Sequence, residues 1–163
     1  MRGYLSLGSN LGDRSAYLLR ALDALTACGV RIIHMSGVYE TRPFEVPHDQ
    51  RNYYNMAVFI ETDLSPHDLL RLCNTVEDDL GRERPYVNSP RSIDIDILLL
   101  EGITVSTDDL KVPHPQLEKR AFVLFPLAEI APDIVLPSGR PILKVKKALR
   151  DDEVVKTWIL NHG

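Results

Sequence analysis

Strand-like runs and two helix-patterned segments alternate here in the order β-α-β-β-α-β, which predicts an α+β chain of ferredoxin-like plan. Two observations carry that expectation. The β-branched and aromatic runs alternate with period two, and the two segments between them repeat apolar residues at helical spacing. Helices that cross over between strands would cover one face of an antiparallel sheet and leave the other accessible. A proline-denser stretch after Gly102, with short helical patterns around Gln116 to Ile130 and Ile142 to Arg150, reads as a helical extension packed on the same core.

The elements follow in order. GYLSLG (Gly3 to Gly8) is a short strand ending in a turn. Asp13 is placed to cap a helix whose Leu18, Leu22 and Leu25 share one face, with Gly29 as its stop. Val30 to Thr41 is β-branched and aromatic enough to be one strand, and Tyr53 to Asp63 is another. Ser65 and Pro66 start a second helix, with Asp68 in its first turn and Gly81 as its end. Leu69, Cys73, Val76 and Leu80 form its buried stripe. Ile93 to Leu100 closes the order. The tail Leu149 to Gly163 fits either a packing helix or an interface.

Composition excludes several classes. The 163 residues are 44% hydrophobic and 26% charged, which suits a single domain over 1–163 with an ordinary core. A net charge of -4 argues against general nucleic-acid binding. Neither a signal-peptide pattern nor an apolar run near the roughly 18 residues of a membrane span is visible. A soluble cytoplasmic protein, monomeric and with small-molecule partners, is the expectation. Cys28 and Cys73 lie in helix-patterned segments and read as small buried apolar residues.

The last strand raises the chemical question. In PRSIDIDILLL (Pro90 to Leu100), alternation sends Asp94 and Asp96 to one face and Ile93, Ile95 and Ile97 to the other. Two carboxylates roughly 6 Å apart repel by about 3 kcal/mol at an effective dielectric near 20. Water relieves that repulsion, and so does a hard cation such as Mg²⁺, which one or two carboxylates hold together with substrate phosphates. An isolated D-x-D on a strand is more often a wet face.

The arginines shift the balance. Glu40 to Asn52 and Gly81 to Ser92 are longer than a hairpin loop of about 2 to 5 residues or a median connection of about 4 to 6. The second carries Arg82, Arg84 and Arg91, which suggests a phosphate-binding lid. Arg120 can add a further planar fork. GSNLG (Gly8 to Gly12) is neither a P-loop nor a dinucleotide fingerprint, but it could let a flat ligand approach the backbone. Tyr53, Phe44 and Phe122 could be core or could stack on a heterocycle, with Asn55 reading its polar edge. His114, between two prolines, could equally be a loop histidine. No zinc array or hydrolase elbow is present.

Taken together these motifs resemble the 6-hydroxymethyl-7,8-dihydropterin pyrophosphokinases of folate synthesis. The resemblance rests on LGSNLGD (Leu7 to Asp13), YETRPF (Tyr39 to Phe44), NYYNMAV (Asn52 to Val58), LGRER (Leu80 to Arg84), PRSIDIDIL (Pro90 to Leu98) and VPHPQLEKRAFVLFPLAEIAP (Val112 to Pro132). It implies pyrophosphoryl transfer from ATP to the hydroxymethyl group of a reduced pterin, with release of AMP. It further implies that Asp94 and Asp96 hold two Mg²⁺ ions, and that Arg82 and Arg84 close on the phosphates. Arg91, His114 and Arg120 would bind ATP, with Glu77, Ile97 and Leu110 to Val112 around the nucleoside. The pterin would lie between Tyr53 and Phe122, contacted by Asn55, Thr41, Gly8, Pro43 and Phe44. Val87 stands where the family commonly has a basic residue. Competing readings are an RNA-recognition-like or small-ligand binding module, and another Mg²⁺-dependent phospho- or nucleotidyltransferase of the same fold.

Overall fold

β1 (Arg2–Ser9) lies inside the sheet, antiparallel to β4 (Tyr53–Thr62) on one side and to β5 (Asp94–Leu100) on the other. The computed structural model describes residues 1–42, 52–81, 92–149 and 154–158. Among these, β4 also pairs with β2 (Val30–Met35) and with β3 (Val38–Thr41). The sheet order is β5-β1-β4-β3, continued by a last strand in the tail, and every pairing is antiparallel. A separate two-stranded ribbon joins β6 (Val105–Ser106) to β7 (Lys111–Val112).

Helix α1 (Arg14–Ala27) follows β1 and α2 (Pro66–Leu80) follows β4. Their caps are those the sequence predicts. The Asp13 carboxylate accepts from the Ala16 N–H at 3.1 Å, and the Ser65 hydroxyl accepts from the Asp68 N–H at 3.2 Å. Leu18, Leu22 and Leu25 of α1 and Leu69, Cys73 and Val76 of α2 are buried against Leu5, Leu7, Met56, Ile60, Ile95 and Ile97. Period-two alternation puts those sheet residues on one face. Cys28 is exposed rather than buried: it is the C-cap of α1, one residue past the helix end and three past Leu25, the last buried residue.

Three expectations change. Val30 to Thr41 is two strands, because the ladder is interrupted at Ser36 and Gly37, although the Ser36 N–H still donates to Ala57 O at 2.9 Å. The Ser36 hydroxyl takes the Ala57 N–H at 2.8 Å, and the Gly37 N–H turns away to a Glu129 carboxylate oxygen at 2.9 Å. The tail contributes a strand, β8 (Val154–Trp158), on the free edge of β3.

The start of the extension joins the first core, through Leu110 and Val112, but the rest does not. It builds a second one on the other face of the sheet, so that face is only partly open. α3 (Ala121–Ile130) is apolar nearly all round and would expose Val123, Leu124 and Leu127 if it stood in water. It packs on β4 and β3 instead, with α4 (Ile142–Ala148) against it. Ala57 and Leu98 supply the sheet's share of this cluster, and Leu117, Ile142 and Val145 complete it. Glu129 also accepts from the Tyr39 hydroxyl at 2.7 Å, so α3 is keyed to β3 by one carboxylate. No helix of the described residues is long and apolar enough to cross a membrane.

Leu124 is fully buried between α3 and the sheet. Leu124→Ala is expected to cost about 2–5 kcal/mol of stability, the range for truncating a core leucine. Urea unfolding with an unchanged m-value is the check; a loss below about 0.5 kcal/mol would mean that α3 is not held by this contact.

Candidate active site

The register of three strands assembles the site. Gly8 of β1 stands opposite Asn55 of β4 and opposite Asp94 of β5. Ser6 stands opposite Ala57 and Asp96 in the next same-face row. Directly opposed residues of an antiparallel pair share a face, so Asp94, Gly8 and Asn55 form one row and Asp96 and Ser6 another. Thr41, opposite Tyr53, extends the same face toward β3. The isoleucines that alternate with the aspartates are 1%, 4% and 4% exposed, which pins the carboxylates to the open side.

Gly8 has a steric reason. A Cβ there would lie 2.7 Å from Asn55 Oδ1, and Asn55 is not free to swing away. Its Nδ2 donates to Thr41 Oγ1 at 2.6 Å, and both residues are buried. The amide is therefore presented edge-on beside bare backbone, the arrangement a flat heterocycle with donors and acceptors on its rim requires.

Phe122 and Arg120 reach this face from the start of α3. Arg120 is the N-cap residue, and its guanidinium carbon lies 5.6 Å from the centroid of the Phe122 ring. With Tyr53 they close a cavity of about 180 Å³. Its walls are aromatic at Tyr53 and Phe122, hydrogen-bonding at Asn55, Thr41 and Ser6, acidic at Asp94 and Asp96, and cationic at Arg120 and Arg42.

A second cavity of about 260 Å³ lies on the other side of Asp96. Leu70, Ile95, Ile97, Leu110 and Pro115 make its apolar wall, and Asp108, Asp109, Lys111 and His114 its polar one. The His114 N–H donates to Leu98 O at 2.9 Å, which fixes the loop after β7 to β5. His114 Nδ1 accepts from the Gln116 N–H at 3.1 Å, so a neutral imidazole carries its proton on Nε2. Burial pushes its pKa below the usual histidine range; the nearby Asp96 carboxylate pulls it up, and Arg120 presses it down. The opposite rim is tied to α2, where His67 Nε2 lies 3.1 Å from Thr107 Oγ1 and 3.2 Å from Asp109 Oδ1.

Of the residues singled out from sequence, Gly8, Thr41, Tyr53, Asn55, Asp94, Asp96, Arg120 and Phe122 line the first cavity, and Ile97, Leu110 and His114 line the second. Glu77 and Val112 line neither. Val112 is buried on the ribbon, and Glu77 lies one turn after Cys73 on α2; burial, with help from the charges of Glu77 and Asp96, raises the Cys73 thiol pKa to about 12. Pro43, Phe44, Arg82, Arg84 and Arg91 lie outside the described residues. The loop readings of Glu40 to Asn52 and Gly81 to Ser92 fall mostly there too. Ser6 and Arg42 were not anticipated, although Ser6 is two residues from Gly8 and so shares its face.

Among the described residues no three His, Cys, Asp or Glu side chains are grouped to hold a metal ion on their own. Asp94 and Asp96 are hard oxygen donors on one rim. They suit a magnesium-like cation whose remaining oxygens come from a ligand or water.

Residues 4–132 match the family described as 7,8-dihydro-6-hydroxymethylpterin-pyrophosphokinase. A protein of Methylorubrum extorquens named 2-amino-4-hydroxy-6-hydroxymethyldihydropteridine pyrophosphokinase is 48% identical over 136 residues, covering 83% of this chain and 85% of that protein. The protein of the same name from Bacillus subtilis is 40% identical over 161 residues, covering 98% and 92%. A solved HPPK-DHPS in complex with substrates superposes with a TM-score of 0.69 at 15% identity. That match covers 90% of this chain and 45% of the larger one, and it speaks for the fold alone.

His114 should titrate below the ordinary value of about 6.5. A folded-state pKa below the unfolded one gives stability that is fully present above about 6.5 and lost as the pH falls through the depressed value. Asp96→Asn removes the upward pull and should lower the pKa further. Proton NMR of the imidazole over pH 4 to 8 reads both; a rise in Asp96→Asn would contradict the assignment of the field to Asp96.

Proposed function

We infer the reaction from kinship and geometry together: this chain belongs to the 7,8-dihydro-6-hydroxymethylpterin-pyrophosphokinase family. It transfers a pyrophosphoryl group from ATP to 6-hydroxymethyl-7,8-dihydropterin, giving the pterin diphosphate and AMP in tetrahydrofolate synthesis. The observation that carries this reading is that Asp96 lines both cavities. An acceptor in one and a nucleotide in the other would meet across a single carboxylate.

In this reading the pterin ring stacks between Tyr53 and Phe122, and Asn55 and Thr41 meet its polar edge, with Gly8 leaving room. Stacking and edge contacts hold the hydroxymethyl group toward the aspartates. The nucleoside occupies the larger cavity, against Ile97 and Leu110, with Val112 and Glu77 supporting that side. His114 and Arg120 face the phosphates at the crossing. Arg82, Arg84 and Arg91, and Pro43 and Phe44 on the pterin side, complete the site from segments outside the described residues. The hydroxymethyl oxygen attacks the β-phosphorus as its O–H bond breaks and the proton passes to solvent water; the bond from that phosphorus to the α–β bridging oxygen breaks, and AMP leaves with the electron pair. Two Mg²⁺ ions, held by Asp94, Asp96 and phosphate oxygens, would supply charge neutralisation along the triphosphate. The protein's own share is positioning and fixed positive charge, which is most of what phosphoryl transfer needs.

The strand order β5-β1-β4-β3 with α1 and α2 on one face supports the ferredoxin-like plan, to which the extension and β8 are added. The chain is read as a single catalytic domain over 1–163 that acts as a cytoplasmic monomer. An acidic open face fits a nucleotide-metal site better than an RNA-binding sheet, whose strands present stacking aromatics and basic residues.

Incubation with Mg²⁺, ATP and the hydroxymethyl dihydropterin should yield AMP. ADP would instead indicate a simple kinase, and neither product from folded protein would refute the transfer. Asp96→Ala should lower kcat by on the order of 10²-fold or more, the scale of removing a transition-state charge contact. Its unfolding free energy should stay within about 0.5 kcal/mol, because the side chain is exposed. Activity lost in proportion to stability would make the aspartate structural.

A further inference from the structure

We propose that Arg14, the first residue of α1, is the positioning residue that sets the Tyr53 ring for its ligand. The proposal rests on the pterin-stacking reading and goes beyond it, because Arg14 is absent from both cavity walls.

Arg14 grips the residues on either side of Tyr53. Its Nη1 donates to the Asn52 carbonyl oxygen at 2.7 Å, and its Nη2 donates to the Tyr54 hydroxyl at 3.1 Å. Its guanidinium carbon lies 3.8 Å from the centroid of the Tyr54 ring, a stacked cation–π contact. The Asn52 carbonyl belongs to the peptide that enters Tyr53, and β4 begins only at Tyr53. Opposite it, Thr41 is the final residue of β3. The ladder therefore ends at the stacking residue, and the guanidinium holds the peptide just beyond it. Alternation sends Tyr54 to the helix side, where it pairs with Ser9, and Tyr53 to the site side. One side chain behind the sheet thus fixes the backbone on both sides of a ring in front of it.

Helix stability alone does not account for an arginine here. A cation in the first turn opposes the helix dipole, and the carboxylate at that end, the Asp13 cap, is engaged with the Ala16 N–H. Arg14 Nε is buried with no hydrogen-bond partner among the described residues, a further cost. The Asp13 cap anchors the helix start from which the guanidinium reaches, so the clamp is rigid at its base.

A stacking plate binds ground state and transition state alike, so its displacement should appear in KM and spare kcat. Arg14→Ala and Arg14→Met are expected to raise the pterin KM by on the order of tenfold, with kcat and the ATP KM within about twofold. The Kd for the pterin alone, read from its fluorescence, should rise in parallel. Arg14→Lys, which keeps a donor for the Asn52 carbonyl, should recover part of the loss and remains the test if the other variants do not fold. An unchanged pterin Kd, or equal weakening for pterin and ATP that tracks the loss of stability, would overturn the positioning role. The two readings fail separately. Wild-type protein that binds pterin in an Arg14-dependent way but makes no AMP overturns the transferase alone, whereas AMP production with an Arg14-independent pterin Kd overturns the clamp alone.

Discussion

The double pairing of β1 is the constraint on which the rest depends. One short strand holds β4 and β5 in fixed register, with Gly8 between Asn55 and Asp94 and Ser6 beside Asp96. A slip of one residue in either ladder would turn a whole row to the other face. Leu5 and Leu7, both fully buried under the helices, make that slip prohibitive. The apolar half of β1 thus fixes where the polar half points. Core packing and site geometry are set by alternate residues of the same strand.

The two faces of the sheet have different duties. Behind it, α1 and α2 supply a continuous apolar cover. In front, α3 covers the β4 and β3 side, and its N-terminal end brings Arg120 and Phe122 to the first cavity. Burial of α3 therefore does two things: it removes a nearly all-apolar helix from water, and it delivers a ring and a cation opposite Tyr53. The Glu129 carboxylate, shared between Gly37 and Tyr39, links that delivery to the break between β2 and β3. Asp96 stays exposed, where water screens its repulsion with Asp94.

Much of this was legible because it follows from short-range rules. Alternation in Tyr53 to Asp63 and in Ile93 to Leu100, together with the Asp13 and Ser65 caps, marks elements whose local preference agrees with their final surroundings. The chemistry of Asp94 and Asp96 is legible for the same reason, since the period of a strand dictates their common face. What stayed hidden depends on distant partners. The strand from Val30 divides because Glu129, some ninety residues later, takes the Gly37 amide. The second core was missed because α3, expected to be helical, has no polar side to show which face it buries or against what. The β-branched and aromatic run Val154 to Trp158 suits a strand, but nothing local names its partner, and β8 forms where it meets the edge of β3. Arg42, Asp108 and Asp109 join the cavities through tertiary placement alone. Local sequence names the donors; only the fold says which of them meet.

The most direct measurement is a crystal structure grown with Mn²⁺ in place of Mg²⁺, a non-hydrolysable ATP analogue and the hydroxymethyl dihydropterin, with manganese located by its anomalous signal. Peaks bonded to oxygens of both Asp94 and Asp96, with phosphate oxygens completing the coordination and the pterin between Tyr53 and Phe122, are the predicted result. Peaks elsewhere, with both carboxylates uncoordinated while the two ligands are bound, would contradict a site built around the shared acidic wall.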